Sequence, residues 1–470
     1  MARNRNKELA VNTGLFAISS FGSKFISFLL LPLYTAVLST GDYGTVDLMN
    51  STVSLLVPLL TLNVQDAVLR FGLGKDAEPE EILSVGLRMV AVGSCVLFTV
   101  LAVMYALDFS PVDGIYLVFL MVMFVLSSLS NVITMYAKSQ DHVRSLVVSG
   151  VGNTLVMSVS AVILLVVVKA GVVGYMVSMA LGSLFGATYL TFACKVWRGF
   201  TAKIHMGLFK TMIAFSAPLV ANSLAWWIND VSDRWVVTIA CGVAANGIYA
   251  VAYKIPTILS TLQTIFYNAW AISAVKEFDP QDGDGFLGRM YELYSGAMAI
   301  CCSGIMLLDV PLATFLYSNE FFEAWRYVPL LLVGVLLNGL ALFEGCLFTA
   351  ARNTKAVSST TLAGAAVSIG SCIALTFAIG PLGAAVATLL GYLVTWGART
   401  HVMLKKIIRL QVEWRNELVT IGILIAHAVV AMQDGMILLQ VPLVAMVVFL
   451  RRRQLTRIWL FAKSKISRKG

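Results

Sequence analysis

VNTGLFAISSFGSKFISFLLLPLYTAV, residues 11–37, decides the fold class of this 470-residue chain. The run is about 27 residues long, enough for a helix to cross a roughly 30 Å hydrocarbon core with tilt to spare. Lys24 sits near its middle. A charge at that depth costs on the order of 3 kcal/mol on insertion scales, so it is expected to face a bundle interior or a wet cavity.

The rest of the chain repeats the pattern. Mean hydropathy is +0.84, with 59% apolar and 13% charged residues, far outside the soluble globular range. A window of about 19 residues predicts fourteen spans: 11–37, 45–68, 83–107, 114–137, 145–168, 171–194, 210–238, 246–274, 290–315, 327–350, 355–378, 380–402, 416–433 and 435–450. The last two are short. The first run is too long for a cleaved leader and lacks a small-residue cleavage site.

Basic residues give the orientation. With the N-terminus inside, cytoplasmic loops and helix ends collect 29 of the 34 Lys and Arg, eight of them between Arg451 and Lys469. Lys169, Arg234 and Arg326 fall outside, and Lys24 and Lys254 fall within spans. Both termini are therefore expected in the cytoplasm. The net charge of +9 is topological and implies no nucleic-acid partner. The basic tail anchors the last span or rests on anionic lipid. The seven cysteines lack ligand spacing and read as small buried hydrophobes, so no metal or cofactor is implied.

An internal repeat organises the chain. GVVGYMVSMALGSL (171–184) aligns with GPLGAAVATLLGYL (380–393) at an offset of 209, and Gly44 pairs with Gly247 at 203. This predicts an N-terminal lobe over 1–200, a C-terminal lobe over 201–402 and appended spans 13–14 with the tail over 403–470. The two six-helix lobes would have like orientation around a central cavity.

Polar residues recur on single helix faces. Lys254, Thr257, Thr261, Thr264 and Asn268 share one side of span 8, and the offset maps them onto Ser51, Ser54, Pro58, Thr61 and Gln65 of span 2, with Asp47 a turn earlier. Ser20, Lys24 and Ser27 share a face of span 1, and Asn222, Trp226, Asn229 and Asp233 one of span 7. Hydroxyls alone often serve as glue between membrane helices. With lysine, carboxylates and amides on the same faces, a water-filled cavity between the lobes is expected.

Several segments resemble the polysaccharide transporter family of the multidrug/oligosaccharidyl-lipid/polysaccharide exporter superfamily, the O-antigen and capsule repeat-unit flippases. They are SKFISFLLLPLYTAVLSTGDYG (23–44), LNVQDAVLRF (62–71), APLVANSLAWWINDVSDRWVV (217–237), NGIYAVAYKI (246–255), YVPLLLVGVLLNGL (327–340) and IGPLGAAVATLLGYL (379–393). The resemblance implies two lobes rocking around a central cavity in a bacterial or archaeal plasma membrane. It implies transfer of a polyprenyl-diphosphate-linked oligosaccharide to the outer leaflet, beside polysaccharide polymerisation machinery. It also implies that basic cavity residues receive the diphosphate, with Lys24 at the position most directly carried over.

A diphosphate in a low-dielectric slot needs counter-charge. Arg70 and Arg88 near the inner surface, Lys24 near the middle and Lys254 in the outer half read as a basic ladder; snorkelling to headgroups is the competing reading for all but Lys24. Asp66, Asp230, Asp233 and Glu344 are candidates for ion coupling. Asp233 beside Arg234 also reads as an outer-surface pair capping its helix, and Glu344 as bonded to Asn338 or a neighbouring helix. DPQDGDG (279–285) lacks the downstream glutamate of a calcium loop and reads as a solvated cytoplasmic turn. Two further functions remain open. One is a cation-coupled multidrug-type exporter, against which spans 13–14 argue. The other is a membrane transferase or polymerase of lipid-linked sugars, which needs an extramembrane site that loops of about 17 residues or fewer do not provide.

Overall fold

The computed structural model describes residues 21–74, 78–108, 113–198, 206–351 and 353–454. Ser20, the start of the first apolar run and the tail after Gln454 lie outside the described residues. The chain separates into two compact units, up to Val231 and from Ser232 onward.

In the first unit, α1 (Phe21–Val37) is followed by α2 (Thr40–Thr61) and α3 (Val64–Gly72). Next come α4 (Pro79–Ala106), α5 (Gly114–Ser139), α6 (Val143–Val167), α7 (Gly171–Ala193), α8 (Met206–Ser216) and α9 (Leu219–Cys241), which runs on into the second unit. Ser39 starts α2 with a capping box: its hydroxyl accepts from the Asp42 N–H, and the Asp42 carboxylate accepts from the Ser39 N–H. At the other end, Leu62 and Asn63 both adopt left-handed backbone conformations, and α3 departs from α2 at 60°. The core gathers around this short α3. Val64, Ala67 and Val68 are fully buried against Ile82 and Leu83 of α4 and Val132 and Ala137 of α5. Gly86 permits that approach, since a Cβ there would lie 2.8 Å from Val132 and 2.9 Å from Val68.

The second unit holds α10 (Val243–Ala252), α11 (Pro256–Lys276), α12 (Phe286–Leu307), α13 (Asp309–Leu316), α14 (Val328–Ala350), α15 (Thr354–Ile379), α16 (Pro381–Lys406), α17 (Trp414–Ala431) and α18 (Ile437–Leu450). A 3₁₀ segment, Asn319–Arg326, precedes α14. Apolar on all sides, α14 is the central helix of this unit and packs against α11, α12, α16 and α17. Helices α15 and α16 cross with almost no side chain between them: a Cβ on Gly383 would stand 2.2 Å from the Leu375 carbonyl oxygen.

Among the described residues the fold is all-helical. Ten helices are long and apolar enough to span a membrane, or eleven if the bent α2–α3 pair is one span. Eleven of the fourteen expected spans fall on these helices when the bent pair is counted, and three miss that standard. Helix α1 is described only from Phe21, and α18 has 14 residues. Span 8 is broken at Tyr253–Ile255 into α10 and the polar α11. Pro256 at the first position of α11 carries no N–H, which makes this a natural point for the helix to restart.

Two local expectations are corrected. The segment 279–285 is no solvated turn at its centre. Asp282 is fully buried, and its carboxylate accepts from the Leu287, Gly288 and Gln411 N–H groups, capping α12 and clipping it to the 407–413 connection. Exposed Asp279 accepts from the Gly283 and Gln281 N–H groups, which hold its carboxyl below the usual range. Arg451 is no part of a surface anchor. It is 2% exposed, and its guanidinium donates to Glu417 at 2.6 Å and to Thr420 at 3.0 Å, while Ser295 donates to the other Glu417 oxygen. The cysteines divide: Cys302, Cys346 and Cys372 are buried, whereas Cys95 and Cys241 are exposed.

Candidate functional site

The helix break at Leu62–Asn63 forms one wall of a cavity of about 460 Å³ inside the first unit. Broken helices are tolerated at membrane depth where they border a cavity, because the freed backbone groups can be satisfied there. Asn63, 1% exposed, donates to the Ser223 hydroxyl on α9 at 2.7 Å and accepts from Gln65 at 2.9 Å. Pro58, one turn before the break, has no N–H for the Ser54 carbonyl four residues earlier. Asn50 and Ser54 extend the wall along α2. Opposite them, α5 presents Ser127, Ser130 and Asn131, and α7 adds Ser183. These last four side chains have no hydrogen-bond partner among the described residues, so their donors and acceptors are available to whatever fills the space. No charged side chain is among the described lining residues.

The second unit has a different pocket at helices α11 and α14. It measures about 180 Å³ and is aromatic: Phe266 stacks on Tyr294 at 4.4 Å, and Trp270 on Phe343 at 4.2 Å. Gln263 crosses to α14 by donating to the Val335 carbonyl.

Two acidic centres lie in the second unit. Asp233 is 8% exposed, so it is buried where the sequence placed it at the outer surface. Its carboxylate accepts from Tyr249 at 3.0 Å, from Tyr253 at 2.5 Å and from the Arg234 N–H at 2.9 Å, while the Arg234 guanidinium lies over the Tyr253 ring. Two tyrosine hydroxyls and one backbone amide thus converge on the carboxylate. Glu344, fully buried, accepts from Thr400 on the neighbouring α16 at 2.7 Å. Close by, Arg399 is 4% exposed and donates to the Ala341 carbonyl and to the Thr360 and Thr361 hydroxyls.

The remaining expected residues are dispersed. Lys24 is exposed on α1, and Ser27 beside it donates back to the Ser23 carbonyl. Arg70 is exposed in the last turn of α3, Arg88 is half-buried on α4, and Lys254 is half-buried at the α10–α11 break. Asp47 and Asp66 are half-buried, and Asp230 and Asn222 are exposed. The expected polar faces spend most of their donors on their own helices: Ser54 on Ser51, Thr61 on Val57, Thr257 on Lys254, Thr261 on Thr257 and Asn229 on Ala225. Ser51 receives the Trp227 indole N–H on its carbonyl. Asn268 is exposed. Of the expected span 2 face, Ser54, Pro58 and Gln65 line the first unit's cavity.

A sequence model for polysaccharide biosynthesis proteins matches residues 9–271, more than half of the chain. The chain belongs to that family. No curated protein matches it significantly. Among solved structures, the fold is similar to that of the lipid II flippase MurJ in an inward closed conformation, with a TM-score of 0.66 at 13% identity over 95% of this chain and 99% of MurJ. An inward-facing multidrug resistance MATE family transporter of the MOP superfamily gives 0.62 at 12% identity, covering 86% and 96%. A MOP superfamily transporter from Pyrococcus furiosus gives 0.52 at 12% identity, covering 90% and 96%. The fold of this multi-pass membrane protein is thus that of MOP superfamily transporters.

The cavity residues on α5 escaped the sequence reading although their signal was present. Ser127, Ser130 and Asn131 stand at i, i+3 and i+4, one face of a helix, inside a strongly apolar run. Tyr249 and Tyr253 show the same spacing within NGIYAVAYKI.

Proposed function

We propose that this protein is a flippase that carries a polyprenyl-diphosphate-linked oligosaccharide from the cytoplasmic to the outer leaflet of a bacterial or archaeal plasma membrane. The observation that carries the reading is a polar cavity against a broken helix among long apolar helices. Membership of the polysaccharide biosynthesis family and the fold shared with a lipid II flippase support it. In this reading both termini are cytoplasmic, Lys24, Arg70, Arg88 and Lys254 meet the diphosphate in turn, and the lobes alternate access to a cavity between them. Asp66, Asp230, Asp233 and Glu344 are the groups proposed to couple transport to ion entry. Asp233 leads them, because its buried carboxylate is held by two tyrosine hydroxyls. The polymerisation machinery is the expected receiver of the product. Described connections between spans are short, which counts against a transferase or polymerase.

The test is leaflet exchange of a fluorescent polyprenyl-diphosphate sugar in proteoliposomes. Exchange above empty vesicles is expected, with Lys24→Ala abolishing it and Lys24→Arg retaining part. Exchange no faster than in empty vesicles overturns the reading. The MATE-like fold keeps a second reading, cation-coupled export of small amphipathic compounds, in play. Ion-driven efflux of such compounds with no movement of lipid diphosphate is the result that selects it.

A further inference from the structure

The chemistry of the first unit's cavity is narrower than a flippase requires. Its described lining offers carboxamides and hydroxyls and no charge of either sign. About 460 Å³ lies within the ~300–1,000 Å³ range of small-molecule sites. Such a lining matches a ligand carrying many neutral donors and acceptors at close spacing. An acidic ligand fits it poorly, because a carboxylate taken out of water needs a counter-charge or several donors to offset desolvation.

Three features make the cavity a built site. The consecutive left-handed residues Leu62 and Asn63 turn the chain so that Asn63 and Gln65 stand at the cavity wall, and their mutual hydrogen bond and the one to Ser223 fix both amides. Pro58 leaves the Ser54 carbonyl without its helical donor. Across the gap, Ser127, Ser130 and Asn131 lie on one face of α5 with their hydrogen-bonding capacity unspent among the described residues. A membrane bundle gains nothing from apolar burial by keeping these groups together, whereas polar groups held ready for a ligand discriminate strongly against one that leaves them unpaired.

We propose that this cavity is a subsite for the uncharged sugars of the lipid-linked substrate, contained within the first unit and selective against sugars bearing a carboxylate. The proposal rests on the flippase reading for its substrate, while the diphosphate is met elsewhere, by the lysine and arginine side chains.

The experiment compares two fluorescent polyprenyl diphosphates in proteoliposomes of the full chain, one bearing a neutral disaccharide and the other a uronic-acid disaccharide of equal size. The wild type is expected to exchange the neutral lipid at least about tenfold faster. Asn131→Leu and Ser127→Val fill the cavity from exposed and half-buried positions. They should bring the ratio of the two rates toward one with an unchanged melting transition. Asn131→Gln should keep part of the preference. Equal rates in the wild type, or an undiminished preference in both filling variants, overturns the subsite. If the wild type moves neither lipid, the flippase reading fails and saturation-transfer NMR with the free neutral disaccharide decides the subsite. Transfer from the wild type that is lost in Asn131→Leu supports it, and equal or absent transfer in both overturns it.

Discussion

Replacing Glu417 with leucine tests how the last two helices are held. Arg451 and Glu417 are each 2% exposed at the side chain and meet at 2.6 Å. Thr420 accepts from the Arg451 Nε, and Ser295 on α12 donates to Glu417. Removing one member of a buried pair strands the other charge and costs about 3–5 kcal/mol. At about 2–4 °C per kcal/mol for a unit of this size, Glu417→Leu should lower the melting transition by roughly 6–20 °C. Arg451→Met added to Glu417→Leu removes the stranded charge and should recover most of that loss, since apolar replacement of a whole buried pair is often near neutral. Unfolding can be followed in detergent by thiol labelling of buried Cys302, Cys346 and Cys372, with exposed Cys95 and Cys241 changed to serine. The reasoning is refuted if the single variant loses less than about 1 kcal/mol, or if the double variant melts as low as the single.

The crossing of α15 and α16 makes a second prediction. Gly383→Ala places a Cβ against Leu375 and Thr376 backbone, which cannot yield, and should cost about 3 kcal/mol or more by thermal melting, whereas Gly370→Ala meets nothing within 4 Å and should be neutral or slightly stabilising. Asp233→Asn should abolish the response of transport to an imposed proton or sodium gradient while substrate binding persists; gradient-driven exchange at the wild-type rate removes Asp233 from coupling. Asp282→Ala uncaps α12 and frees Gln411, so a loss of about 1–2 kcal/mol and faster proteolysis within 407–413 are expected, measured by limited digestion.

Hydropathy found most of the helices because burying backbone in lipid admits few alternatives, and ten or eleven of the fourteen expected spans meet the length and apolarity of a membrane helix. It missed how the chain passes between them. Neither Leu62 nor Asn63 is a glycine or proline, so a window that averages hydropathy runs straight through the break. Lys24 was legible as an expensive charge, yet its depth alone does not identify its partner. Asp233 read as a surface residue because its neighbour in sequence is Arg234; the tyrosines that also bind it and bury it are 16 and 20 residues away. Arg399, counted by its sign and position among the 29 cytoplasmic Lys and Arg, is buried, held by three acceptors from α14 and α15. The polar cavity needs helices from separate parts of the chain, so the α2 and α5 faces were each local in sequence but their meeting was not.

The Asp282 clip also sets an order of assembly. Two of its three amide donors, Leu287 and Gly288, lie 5 and 6 residues away, while the third, Gln411, lies 129 residues later. At translation rates of about 5–20 residues per second, that partner emerges roughly 6–26 s after Asp282 itself. Helix α12 can therefore enter the membrane already capped, and the late-arriving segment locks onto a finished surface. A ribosome-stalled chain ending before Gln411 should contain a correctly inserted α12, with the final hairpin added as the closing step of biogenesis.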